Sequence, residues 1–170
     1  MWEIDLLYSV LVRWLHVLSG VMWIGLLWYF NFVQTPTMPK IPDELKPAIG
    51  KHIAPVALFW FRWAALSTVV FGLLLAWDSN YIVHALAIGL TNNVGMHAGI
   101  GIGMWLGLYM AFNVWFVIWP NQKKVLGMVT VSDEEKAKAA KTAGMFSRVN
   151  TMLSIPMLLA MVGAQNGLFG

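Results

Sequence analysis

Long apolar runs separated by short polar segments dominate the pattern along the chain. Four of these runs approach the roughly 20 residues that a helical membrane span requires. Their predicted limits are residues 6–33, 53–77, 94–119 and 147–164. The fourth is the weakest, because its apolar part is short and must borrow from the preceding "AGMFSR". The pattern predicts an all-α integral membrane protein: one domain over residues 1–170, folded as a bundle of four transmembrane helices.

The polar connections indicate which way the spans face. Most of the 11 lysines and arginines fall on the first and third connections, residues 34–52 and 120–146, or at their edge: Lys40, Lys46, Lys51, Lys123, Lys124, Lys136, Lys138, Lys141 and Arg148. The other side carries acidic residues and no lysine or arginine: Glu3, Asp5 and Asp78. The positive-inside rule therefore predicts cytoplasmic loops at 34–52 and 120–146, with both termini periplasmic.

Two connections also carry local signals. The middle of "DSNYIVHALAIGLTNN", residues 78–93, is apolar, which favours a short helix lying at the membrane surface. The segment "VSDEEKAKAAKTA" predicts the start of a cytoplasmic helix, with Ser132 as its N-cap and Glu135 at the capping-box position.

Composition supports a membrane location and limits the kinds of cofactor and cross-link that the chain can hold. The chain is 59% hydrophobic and 11% charged, whereas soluble domains carry about a quarter charged residues. It contains no cysteine, which excludes disulfides, thiolate metal sites and covalent haem attachment through this chain. Because the loop lysines account for the net charge of +3, we expect no nucleic-acid partner. We expect a multi-pass protein of the bacterial inner membrane.

Two histidines within the spans are the main candidates for a cofactor site. His16 and His97 each precede a glycine by four residues, Gly20 and Gly101, and such a glycine lies beside the histidine on the same helix face. A glycine beside an imidazole leaves a flat shelf that a porphyrin ring can approach. Both histidines fall in the predicted outer half of the bilayer, roughly 6 Å and roughly 13 Å from the span centres. The hypothesis is a non-covalent haem b, or two, with His16 and His97 as axial iron ligands.

The remaining polar residues of the spans are considered for roles beside this haem. Arg13 lies one turn outward of His16, where a haem propionate requires a cation. Arg62 lies near the middle of the second span, with no acidic residue in any span to pair with it. Its candidate partners are a haem propionate, another anion, backbone carbonyls, and the side chains Asn113, Asn150 and Ser154. His52 is the alternative iron ligand, and His84 is a weaker candidate.

Glycines recur at every fourth position of the third span, at Gly95, Gly99, Gly103 and Gly107. This ladder lies on nearly the opposite helix face from His97. Its simplest interpretation is close packing against a neighbouring helix.

Four stretches, in this order, resemble the membrane domain of the urate oxidase N-terminal family: "LVRWLHVLSGVMWIGLLWYFNFVQ", "LFWFRWAALSTVVFGLLL", "MHAGIGIGMWLGLYMAFNVWFVIWPNQKKV" and "NTMLSIPMLLAMVG". In that family the membrane domain is typically followed by a cytochrome c domain. This chain is expected to be a shortened form without that domain. The resemblance implies electron transfer between a membrane site and a periplasmic c-type haem, and it implies that His16, His52 and His97 are family positions.

The sequence therefore favours a haem b-binding electron-transfer subunit of a larger redox assembly. Its expected partners are other redox subunits of the membrane, a periplasmic cytochrome c, lipid, and further copies of itself. One alternative is a structural or assembly subunit without a cofactor. Another is a membrane oxidoreductase that acts on a small, urate-like anion held by Arg62, so that the sequence leaves open whether the chain is an enzyme.

Overall fold

A computed structural model describes the backbone of residues 2–170 and the side chains of residues 6–170. The side chains of Glu3 and Asp5, counted above at the acidic end, lie outside the described part. The described residues are all-helical, without a β-strand. Four helical segments are long and apolar enough to cross a membrane: Leu6–Lys40, Lys46–Asp78, Gly95–Val125 and Asp133–Gln165. The prediction of four long apolar helices is confirmed in number and order.

The helices follow the chain as a series of long and short elements. The long helices are α1 (Trp2–Trp28), α4 (Ala54–Asp78), α6 (Gly95–Phe112) and α8 (Asp133–Gln165). The short helices are α2 (Thr35–Thr37), α3 (Lys46–Ala48), α5 (Ile82–Leu86) and α7 (Trp119–Val125), with a 3₁₀ turn at Met38–Lys40. Helix α5 is the helix predicted in the connection 78–93.

Side-chain contacts show that neighbouring long helices run antiparallel. Near one end, His16 of α1 lies beside Thr68 of α4, and towards the other end Phe30 contacts Phe61. The same reversal of direction holds for α6 and α8. Helix α1 packs mainly on α4, and α6 packs mainly on α8. The lysine-bearing connections consequently share one end of the bundle, here called the lysine-rich end. Both chain termini lie at the opposite, lysine-poor end.

Three stretches of the described backbone are π-helical. They are Tyr29–Gln34, which continues α1, Ile49–Ile53, which leads into α4, and Asn113–Ile118, which joins α6 to α7. All three lie in the half of the bundle towards the lysine-rich end. π-helical turns are rare and frequently accompany functional sites, and the sequence pattern did not predict them.

Helix α8 is longer than the predicted fourth span. It begins at Asp133, where the backbone N–H of Glu135 donates to Oγ of Ser132 over 3.2 Å, which confirms the predicted cap. The helix then continues without a break through the charged segment into the apolar one. The weak fourth span is therefore the second half of a single helix of 33 residues.

The glycine ladder packs closely at three of its four positions: at Gly99 and Gly103 against α8, as predicted, and at Gly95 against the segment that follows α8. A Cβ at Gly95 would collide with the backbone carbonyl of Phe169, and one at Gly99 would collide with the Phe169 ring. A Cβ at Gly103 would lie 2.9 Å from Cγ of Met161 on α8, whereas one at Gly107 would meet nothing within 4 Å. Small residues at the first three positions therefore permit the close approach of α8 and the C-terminal segment to α6.

Candidate functional site

His16 lies between α1 and α4, with a defined tautomer. Its Nδ1–H donates a hydrogen bond to the backbone carbonyl of Thr68 over 2.8 Å, because a carbonyl can only accept. The other ring nitrogen, Nε2, keeps its lone pair. Metal-binding histidines commonly show this arrangement, in which a second hydrogen bond fixes the ring and its tautomer.

Gly72 provides the space that the His16 ring occupies. A Cβ at residue 72 would lie 2.8 Å from Cε1 and 3.0 Å from Nδ1 of His16. Sequence reasoning missed this residue, because it paired His16 with Gly20 on the same helix. The only signal was a glycine in the apolar run "VVFGLLL", and the register between α1 and α4 was needed to give it a meaning.

His97 belongs to a different group of side chains, on α5 and the start of α6. Its ring is stacked on His84, with centroids 5.5 Å apart and 9° between the planes. It is also stacked on Tyr81, at 5.5 Å and 22°. The structure therefore brings together His97 and His84, whereas the sequence paired His97 with His16. The helices α1 and α6 occupy diagonal positions in the bundle.

The hydrogen bond of His97 differs from that of His16. The side-chain oxygen Oδ1 of Asn92 accepts from the backbone N–H of Val94 over 3.3 Å. The amide nitrogen Nδ2 of Asn92 therefore faces Nδ1 of His97 and donates to it over 2.8 Å. A neutral His97 with Nδ1 as acceptor carries its proton on Nε2, so neither nitrogen offers a free lone pair in this arrangement.

The two glycine shelves are covered by protein atoms. The position of a Cβ on Gly20 lies 3.8 Å from the methyl group of Thr68, and the same position on Gly101 collides with the carbonyl oxygen of Ala85 in α5. The donor set thus fits haem in part. His16 presents the tautomer that iron binds, whereas a porphyrin beside Gly101 would require α5 to move.

At the lysine-poor end, Tyr81 is partly buried and is influenced by the positive charge of Arg13. Burial raises the pKa of the Tyr81 hydroxyl, and the positive charge of Arg13 opposes that rise. Of the three stacked rings, the charge of Arg13 therefore influences that of Tyr81. Its own side chain is exposed at this end, as expected for a cation that meets an anionic group near the surface.

Arg62 has aromatic partners. Its guanidinium carbon lies 3.8 Å from the centroid of the Trp119 ring and 5.4 Å from that of Phe59. We predicted Arg62 near the middle of a span, but the charge itself lies level with Trp119, the last residue of the predicted third span. Two of its predicted side-chain partners are engaged with each other, since Nδ2 of Asn113 donates to Oδ1 of Asn150 over 2.9 Å. The third, Ser154, accepts from Trp28 over 2.9 Å.

The remaining histidine lies away from the other three. His52 lies in the π-helical segment Ile49–Ile53 at the lysine-rich end, with an exposed side chain. Among residues 6–170, no three His, Asp or Glu side chains are grouped so that they could hold a metal ion.

The fold defines a multi-pass helical membrane protein. The model of one protein family, described as urate oxidase N-terminal, matches residues 79–169, which is more than half of the chain. The chain belongs to this family. Comparison with curated proteins and with solved structures gave no match.

Proposed function

We propose that this protein is a haem b-binding electron-transfer subunit of a redox assembly in the bacterial inner membrane. The observation that carries the proposal is the hydrogen bond from Nδ1 of His16 to the carbonyl of Thr68. It orients the ring and leaves Nε2 as an iron ligand, inside a helix pair where an unpartnered ionisable group is costly. Family membership supports the same redox context. Bound haem would supply reversible one-electron transfer.

Residues at the lysine-poor end have distinct roles in this proposal. His16 ligates the iron, and Gly72 leaves room for its ring. Arg13, one turn further out, meets a propionate carboxylate near the surface. In this proposal a periplasmic c-type cytochrome or a second membrane subunit docks at this end.

His97 remains the proposed second axial ligand, but it has to be released first. Its Nδ1 must lose the Asn92 donor or the Asn92 amide must turn, so that Nε2 gains a lone pair. The Ala85 carbonyl must also move away from Gly101. Both changes involve the short connection between α4 and α6, which is easier to shift than the long helices.

A cofactor-free structural subunit is the second candidate, and the covered shelves at Gly20 and Gly101 favour it. The third candidate, an oxidoreductase with its anion held by Arg62, loses support because the guanidinium lies on the Trp119 ring.

A reduced-minus-oxidised absorption spectrum of the purified protein, with pyridine haemochrome quantification, tests the proposal. We expect b-type bands and at least one haem per chain. A protein that is folded and monodisperse but colourless, even after expression with haem precursor, would instead establish the structural subunit.

A further inference from the structure

A cavity of about 100 Å³ lies at the lysine-rich end, between the extension of α1 and helices α4, α7 and α8. It is remote from His16 and His97, which lie towards the other end. Its apolar floor belongs to the bundle core and includes Phe30, Leu58, Phe61 and Ile118. Its polar wall comprises Asn31, Gln34, Thr35, Gln122, Ser147 and Arg148. A mixed lining of this kind, with few polar groups over an apolar floor, is typical of small-molecule sites.

One polar atom of this wall lacks a partner. The side-chain oxygen Oε1 of Gln34 is buried and accepts no hydrogen bond among the described residues. A buried acceptor left unpaired costs about 1–3 kcal/mol, so a molecule in the cavity that offers a donor to this atom would be favoured. The neighbouring Asn31 cannot supply one, because its Nδ2 already donates to Leu27 O and to Oγ of Ser147.

The cation at the cavity determines the charge of its occupant. Arg148 lines the cavity and has an exposed side chain, so its guanidinium belongs at the entrance. No Asp or Glu lines the cavity. A guanidinium binds carboxylates through paired hydrogen bonds. Ser147 accepts from Asn31, which leaves its O–H free to donate to the same anion.

The backbone around the cavity is unusual as well. Gln34, Asn31 and Phe30 lie in the π-helical stretch Tyr29–Gln34, and Ile118 ends another at Asn113–Ile118. Such turns frequently mark functional sites. Gly144 also lines the cavity, and a Cβ there would meet nothing within 4 Å. No neighbouring atom therefore fills the cavity beside Gly144.

We propose that this cavity is a binding site for a small aromatic carboxylate that carries a hydroxyl or amino donor. The carboxylate pairs with Arg148, the donor reaches Oε1 of Gln34, and the ring lies on the Phe30 and Phe61 floor. Those two rings are perpendicular to each other, with centroids 5.8 Å apart. The site is independent of the haem proposal, since no residue is shared.

Calorimetric titration of the protein in nanodiscs tests the site, with 4-hydroxybenzoate as the probe. We expect a Kd of about 1 mM or lower. Benzoate lacks the donor for Gln34, and 4-hydroxybenzamide lacks the charge for Arg148. Each should therefore bind about tenfold more weakly, the loss of one strong hydrogen bond.

Two variants, each with a matched control, assign the binding to the cavity. Gly144→Leu fills the space and should abolish binding, whereas Gly107→Leu, also a helical glycine with open surroundings, should bind like the wild type. Arg148→Gln should weaken 4-hydroxybenzoate about tenfold, whereas Lys141→Gln on the same helix should not. The proposal is overturned if the wild type does not bind the probe, or if Gly144→Leu binds it unchanged. The same holds if benzoate binds equally well, since Gln34 would then be satisfied by water alone.

Discussion

The guanidinium of Arg62 lies over the indole of Trp119, with its carbon atom 3.8 Å from the ring centroid. This contact joins the middle of α4 to the first residue of α7. The adjacent turn adds a second link, because Nε1–H of Trp115 donates to the backbone carbonyl of Arg62 over 3.1 Å. A cation on an aromatic face needs no counter-anion, which explains how a positive charge is tolerated where the spans hold no carboxylate.

A double-mutant cycle should measure this contact. Arg62→Gln removes the charge and Trp119→Leu removes the ring, so each single variant should lower the free energy of unfolding. The coupling between them should be about 0.5–2 kcal/mol, measured by denaturation with sodium dodecyl sulfate in mixed micelles. The control cycle pairs Arg62→Gln with Trp77→Leu, an exposed tryptophan at the far end of α4, and should show no coupling. Zero coupling in the first cycle would mean that another group balances the charge.

Substitution of Gly101 should disturb the connection between α4 and α6. A Cβ at this position collides with a backbone carbonyl, that of Ala85, which cannot move as a side chain can. Gly101→Ala should therefore cost about 1–3 kcal/mol in unfolding free energy and displace α5. Gly107→Ala lies on the same helix in open surroundings and should be neutral or slightly stabilising. Equal melting profiles for the two variants would contradict the packing described for α5.

Substitutions at the buried pair Asn113 and Asn150 should have non-additive effects on stability. Asn113 donates to Asn150, and Asn150 donates to the backbone carbonyl of Met110 over 2.9 Å. Asn150→Leu strands the amide of Asn113 and should cost about 1–3 kcal/mol. Asn113→Leu combined with Asn150→Leu leaves no stranded side-chain amide, so the double variant should be less destabilised than the sum of the two single variants. Strict additivity of the unfolding free energies would argue against a direct hydrogen bond.

The sequence predicted the parts of the fold that depend on local pattern. Span number, the Ser132 cap and the packing role of Gly95, Gly99 and Gly103 follow from hydropathy, capping chemistry and residue size. The pairing of His97 with His84 and the role of Gly72 do not, because they depend on how α5 folds back and on the register between α1 and α4. The cavity at Gln34 was equally hidden, since it forms only where four separate elements meet.

Histidine variants should separate the proposed ligands. His16→Ala removes the imidazole whose tautomer the Thr68 carbonyl sets for iron binding, so it should abolish the low-spin haem spectrum. His97→Ala should also abolish or change it if His97 is the second axial ligand. His84→Ala should leave the haem content unchanged, since the proposed ligand pair is His16 and His97. If His16→Ala and His97→Ala both keep the wild-type spectrum, the ligand assignment is wrong and His52→Ala becomes the next variant to examine.

Membrane orientation can be tested through the two ends of the bundle. The four antiparallel segments put the C-terminus at the lysine-poor end, where Phe169 packs on Gly99. The positive-inside rule assigns the lysine-rich end to the cytoplasm. Alkaline phosphatase fused after Gly170 should therefore be active, and green fluorescent protein at the same point should be dark. Fusions at Gly127, in the lysine-bearing connection after α7, should show the reverse.

A fluorescent C-terminal fusion would mean either that the lysines do not set the orientation or that α8 does not cross the bilayer. A second fusion at Asn93, between α5 and α6, separates these two explanations, because only an inverted bundle would make it fluorescent as well.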